Sequence, residues 1–187
     1  MARRDVGVAI GLPEPCSSEL QGWRERLGDR NAAAIPPHVT LLPPTSLPAT
    51  QLQTVEEHLR CVAAEEQGFT IHLRGAGTFR PVSPVVFVAL ASGLSDCERL
   101  EERVRGGPLT RQLTFPYHPH VTVAHDVGEN LLDEAYDALA SYDASFGVWG
   151  FSLFEKGADG VWRPLRDFPF GRAGLPGPTE RAPSDHG

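Results

Sequence analysis

The chain has 187 residues, enough for one domain with a substantial core or for two small lobes sharing an interface. Hydrophobic residues at 41% and charged residues at 22% exclude wholesale disorder and a fibrous repeat. The net charge of -7 argues against a broad footprint on duplex DNA or on an anionic membrane, so an anion would have to be captured locally.

Residues 5–11, "DVGVAIG", predict a short buried strand. That apolar run is far shorter than a membrane span and no small-residue cleavage site follows it, so the expected compartment is the cytoplasm. A helix is expected over 17–29, with Ser17 or Ser18 as N-cap. The segment "HVTLL" then reads as a strand closed by Pro43-Pro44, and 49–67 as a helix that starts at a Thr N-cap and ends at Gly68. Residues 69–79 and 84–92 predict a hairpin, followed by a helix near 94–105. After Gly106-Gly107 come the strand "HVTVA", a helix near 130–141, and a final pair of β segments, "SFGVWGFSLFEK" and "VWRPLRDF". Residues 171–187 are poor in apolar side chains and dense in Pro, Gly and charge, so a disordered tail is expected to follow one bilobal domain over 1–170.

Cys16, Cys61 and Cys97 are odd in number and form no CxxC pattern, which argues against a disulfide framework or a structural zinc knot. Of the 17 basic residues only Lys156 is a lysine, so anion recognition would fall mainly to arginine.

Three of the seven histidines crowd into "HPHVTVAH", 118–125, and "PPHVTL", 36–41, repeats the core of that stretch. On a regular strand His38 and Thr40 share one face while Val39 and Leu41 share the other, and the same holds for His120 and Thr122 against Val121 and Val123. Each segment can therefore anchor an apolar face in the core and present an imidazole and a hydroxyl together. Chance would supply two such motifs roughly once in a hundred chains of this composition, so the pair carries more weight than either alone. The two lie 82 positions apart, the spacing of two lobes of similar size. Two imidazoles can divide the labour of phosphodiester chemistry, one taking a proton and the other giving one, while threonines donate to phosphate oxygens. His118 shares the parity of His120 and could flank the site. His125 falls on the opposite parity and is expected to be structural; His58, His72 and His186 have no partners in sequence.

On these residues the sequence resembles the 2H phosphoesterases, and within them the 2′-5′ RNA ligase-like branch. The resemblance rests on His38-Val39-Thr40-Leu41, His120-Val121-Thr122-Val123 and the "FPYHPHVTVA" context, and spans 5–168. It implies an α+β, two-lobed duplicated fold, each lobe an antiparallel sheet with helices on its outer face, with the motifs meeting in a central cleft. It further implies metal-independent action, with no cofactor, on a 2′,3′-cyclic phosphate or a 2′-5′ phosphodiester at an RNA or nucleotide end. His38 and His120 would be the acid and base, and Thr40 and Thr122 the phosphate donors. After the first motif the branch often continues with Phe and Gly, where this chain has Leu42-Pro43-Pro44. That departure and the acidic charge point to a small cyclic phosphate or an RNA terminus as substrate, with a monomer expected. Tyr117, Arg80 and Arg111 are flanking candidates by sequence. Phe79, Phe115, Tyr117 and Phe154 are the aromatics near the motifs that could stack on a base.

Two other classes compete. A non-catalytic nucleotide- or phosphate-binding module of the same fold would bind without turnover. A metal protein built on His118, His120, His125 and His38 would lose its activity to a chelator.

Overall fold

Alternation of strand and helix organises the chain, which the computed structural model describes over residues 2–171. In order these are β1 (Arg3–Gly11), α1 (Cys16–Arg26), β2 (His38–Pro48), α2 (Leu52–Glu65), β3 (Phe69–Thr78), β4 (Val85–Ser92), α3 (Leu94–Val104), β5 (His120–His125), α4 (Glu129–Ala138), β6 (Asp143–Val148), β7 (Gly150–Lys156) and β8 (Trp162–Pro169). The expected tail over 171–187 lies outside the described residues apart from Gly171.

Two four-stranded sheets result, in the orders β2-β1-β7-β8 and β5-β4-β3-β6, and every pairing is antiparallel. The fold is α+β and duplicated, as expected. Each His-x-Thr motif opens the edge strand of its sheet, and the two edges, β2 and β5, approach each other. Helices reach across the join: α1 lies against β5 and α3 against β2. Buried side chains form a continuous cluster through both halves, from Val6 and Leu41 by way of Leu59 and Leu100 to Val121 and Leu132. The helices enter it through spaced apolar positions, such as Val55, Leu59 and Val62 on α2 and Leu132 and Ala135 on α4.

Both edge strands carry the same irregularity. Val8 pairs with Leu42 and Ala9 with Thr40, so Leu41 is an extra residue; Val86 pairs with Ala124 and Phe87 with Thr122, so Val123 is one too. Directly after each motif, two successive residues are therefore buried: Leu41 and Leu42 in β2, Val123 and Ala124 in β5. A bulge of this kind reverses the alternation beyond it.

Several expected boundaries differ. β2 does not stop at Pro43-Pro44 but runs to Pro48, because the two prolines fall at a second irregularity of the edge pairing, between Val6–Thr45 and Val8–Leu42, where ladder donors are not required. The segment 145–156 is split at Trp149, with β6 beside β3 in one sheet and β7 beside β1 in the other. Neither expected serine caps α1: the helix begins at Cys16 behind Pro15, and Ser18 instead donates its backbone N–H to Glu14 Oε2 at 3.2 Å. Thr50 lies in a 3-10 turn, Ala49–Gln51, that precedes α2.

Candidate active site

A proline precedes each motif histidine, and the backbone there aims a carbonyl back at the ring. His38 Nδ1 bonds to the Pro36 carbonyl at 2.8 Å and His120 Nδ1 to the His118 carbonyl at 2.7 Å. A carbonyl can only accept, so Nδ1 holds the hydrogen in both rings, and in a neutral ring Nε2 keeps its lone pair. Neither Nε2 has a hydrogen-bond partner among the described residues, and the same is true of the hydroxyls of half-buried Thr40 and Thr122. The two motifs thus repeat one local design: a fixed tautomer, an open ring nitrogen and an open hydroxyl on a shared face.

Between the lobes lies a cavity of about 360 Å³, lined by Arg24, His38, Thr40, Thr122, His125 and Trp162 among others. His120 is outside this lining, two residues along the same strand face from Thr122. Its ring packs against Phe79 and Phe87, with centroids 4.9 and 5.1 Å away, and those two rings stand 4.5 Å apart as an apolar wall.

Both imidazoles have a pKa below the ordinary histidine value. Burial is the leading cause for each. In His38 the bond to the Pro36 carbonyl opposes it, while the charges of Arg24 and His120 add to it. In His120 the bond to the His118 carbonyl opposes it and the charge of His118 adds to it.

The flanking candidates fall in different places. His118 is exposed, with its ring 6.0 Å from that of His120, and its carbonyl is the one that orients His120. Tyr117 does not line the cavity; its hydroxyl donates to the Thr40 carbonyl at 2.8 Å and so ties the approach to β5 onto β2. Arg80 does not line it either, because its Nη1 is held by Glu129 at 2.9 Å and Asp133 at 2.8 Å. Arg111 turns instead to Thr45 Oγ1, at 3.1 Å. Of the aromatics named for stacking only Phe154 lines the cavity, and Phe115 is exposed. His58 bonds to the Val104 carbonyl and His72 to Asp143. His186 lies outside the described residues.

Two residues that sequence reasoning passed over, Arg24 and Trp162, belong to the cavity, and so does His125, which was expected to be structural. His125 is returned by the Val123 bulge to the face of His120 and Thr122, and its Nδ1 lies 3.4 Å from Asn31 Nδ2. Arg24 continues the buried stripe of Cys16 and Leu20 on α1, and its position four residues beyond Leu20 was the available signal. Trp162, at the start of β8, stands over Gly7: a Cβ there would lie 3.5 Å from the indole and 3.2 Å from the Leu42 carbonyl. Among the described residues, no group of three or more His, Cys, Asp or Glu side chains is arranged to hold a metal ion.

Comparison with known proteins gives a consistent picture. The family model described as "2'-5' RNA ligase superfamily" matches residues 12–160. A "Putative phosphoesterase" of Bacillus cytotoxicus is 30% identical over 124 residues, which cover 66% of this chain and 71% of that protein. A protein of the same description from Bacillus cereus strain G9842 is 24% identical over 169 residues, covering 89% and 97%. Among solved structures, E. coli LigT complexed with 3'-AMP superimposes with a TM-score of 0.65 at 23% identity, over 91% of this chain and all of that one. TT0787 of Thermus thermophilus does so with a TM-score of 0.62 at 22% identity, over 89% and 98%. At these identities the two structures establish the shared fold.

Proposed function

The chain belongs to the 2′-5′ RNA ligase superfamily, the 2H phosphoesterases, and from that membership we propose that it is a metal-independent phosphodiesterase for cyclic phosphates at RNA or nucleotide ends. The observation that carries the reading is the repeated pair of imidazoles on facing edge strands, each with Nδ1 bonded to the carbonyl two residues upstream and Nε2 without a partner among the described residues. The nucleotides bound by E. coli LigT, 3'-AMP and NADP+, support a nucleotide-sized substrate.

In the proposed reaction the neutral imidazole of one motif takes a proton at Nε2 from water, whose oxygen forms the new bond to phosphorus. The bond from phosphorus to one ribose oxygen breaks, and the protonated imidazole of the other motif delivers its Nε2 proton to that leaving oxygen. His38 and His120 fill these roles, and each ends in the protonation state the other began with. With the 5′-hydroxyl of a second RNA end attacking in place of water, the same steps would join two RNA ends, and run backwards they would cleave that 2′-5′ bond to a cyclic phosphate. Thr40 and Thr122 donate to the non-bridging oxygens where negative charge develops. Residues up to 170 would act as one bilobal catalytic domain, as a monomer.

The test is hydrolysis of a nucleoside 2′,3′-cyclic phosphate in excess EDTA by the wild type and by His38→Ala and His120→Ala, with the product isomer identified. A 2′-phosphate that forms despite the chelator and is lost in both variants is the expected result. Activity that dies with EDTA, or persists in either variant, overturns the two-histidine mechanism. Binding of nucleotide without turnover would instead mark a non-catalytic module.

A further inference from the structure

Arg24 is unusual for its place: its residue is only 3% exposed, yet it lines the cavity beside His38 and Thr40. Its Nε donates to Asp29 Oδ2 at 3.3 Å, and Nη1 donates to the Ile35 carbonyl at 2.6 Å and to Gln21 Oε1 at 3.3 Å. Nη2 has no acceptor among the described residues, and no buried side-chain nitrogen or oxygen among them lacks a partner. The open donor is therefore reached from the cavity rather than sealed in the core.

The cavity that Arg24 lines also has apolar and flat surfaces in Leu42, Pro44, Phe154 and the Trp162 indole, and Gly7 lets the indole lie against β1. Such a wall suits a heterocycle stacked on an aromatic ring. The charge of Arg24 is already matched by Asp29, so a neutral oxygen satisfies the open donor without a second buried anion. Asp29 also lines the cavity, but its side chain is only 1% exposed, with Oδ2 taken by Arg24 Nε and Oδ1 by the Asn31 N–H, so a donor on the ligand would have to share an oxygen already engaged.

We propose that this cavity, beside the phosphate donors Thr40 and Thr122, holds a nucleobase subsite that selects, through Arg24 Nη2, a base bearing a carbonyl at the edge it presents there. The assignment rests on the phosphodiesterase reading above and goes beyond it in naming the preferred substrate. Adenine sets an amino donor against the guanidinium at its 6-position, whereas hypoxanthine and guanine set an oxygen there.

The experiment compares inosine and adenosine 2′,3′-cyclic phosphates, which differ in the 6-substituent and the accompanying hydrogen on N1, as substrates of the full chain. The wild type is expected to favour inosine by about tenfold or more in kcat/KM, the size of a hydrogen bond to a charged group set against an unpaired donor. Arg24→Lys, which keeps the charge beside Asp29 but lacks the second guanidinium nitrogen, is expected to bring the two substrates to near parity. A residue with only a structural role would slow both equally. Equal kcat/KM in the wild type overturns the subsite whether or not the variant folds. If neither compound is hydrolysed, the phosphodiesterase reading fails by itself. Calorimetric affinities for inosine and adenosine 2′-monophosphates then decide the subsite: tighter binding of inosine supports it and equal binding refutes it.

Discussion

His38 and His120 resemble each other down to a single hydrogen bond, and that likeness governs how they should respond to pH. Burial favours the neutral ring in both, so the base is available below the ordinary histidine pKa and the acid loses its proton below it as well. The kcat/KM profile, which reports the free protein, is therefore expected to be a bell centred on the acid side of about 6.5, with the two limbs belonging to the pair. A profile centred above neutrality would contradict the burial described here. The same shifts enter stability. With folded pKa values depressed, the unfolded chain binds more protons in the window below about 6.5, so stability is lost as pH falls from there towards the folded values. Thr40→Ala and Thr122→Ala should each slow turnover by roughly 10²-fold with little change in Tm, since the hydroxyls have no partner to lose among the described residues. The histidines and threonines were legible because a strand's period of two groups them on one face. Arg24 was passed over: its place on the Cys16–Leu20 stripe was a signal, but only burial shows that the stripe turns towards a cavity.

At the level of elements, the bulges mark where reading by period fails. A strict alternation sends His125 into the core, yet the doubled apolar residues "LL" and "VA" after the motifs absorb one extra position and bring it back. The helices and the β3–β4 hairpin were recoverable from local pattern. That β6 and β7 part at Trp149 to join different sheets was not, because periodicity describes a strand's faces and not its neighbours. Asp29 is the knot where α1, the 3-10 turn Arg30–Ala33 and the approach to β2 meet: it accepts from Arg24 and from the Asn31 N–H. Asp29→Ala should cost about 3–5 kcal/mol in urea denaturation, the penalty of a buried guanidinium left without its carboxylate. A loss under about 1 kcal/mol would mean that Arg24 finds another partner.

Across the whole molecule the chain passes from the first sheet to the second between β2 and β3 and returns between β6 and β7, so both ends of the described chain belong to one lobe. The second sheet is one continuous segment, Phe69–Val148, set into a first sheet that is assembled from both ends of the described chain, and a single buried cluster joins the two. Unfolding is expected to be a single transition, with far-ultraviolet dichroism and tryptophan fluorescence coincident. Tyr117 adds a cross-strap from the approach to β5 onto Thr40, and Tyr117→Phe should cost about 1 kcal/mol of stability.

The run of β2 through Pro43, Pro44 and Pro48 has a consequence for how the protein keeps company with other chains. Exposed sheet edges invite foreign strands, and two of them line this cleft. Three residues of β2 lack an amide hydrogen, so an incoming strand meets an interrupted ladder. The prolines that defeat a simple reading of strand length thereby guard an open mouth against aggregation.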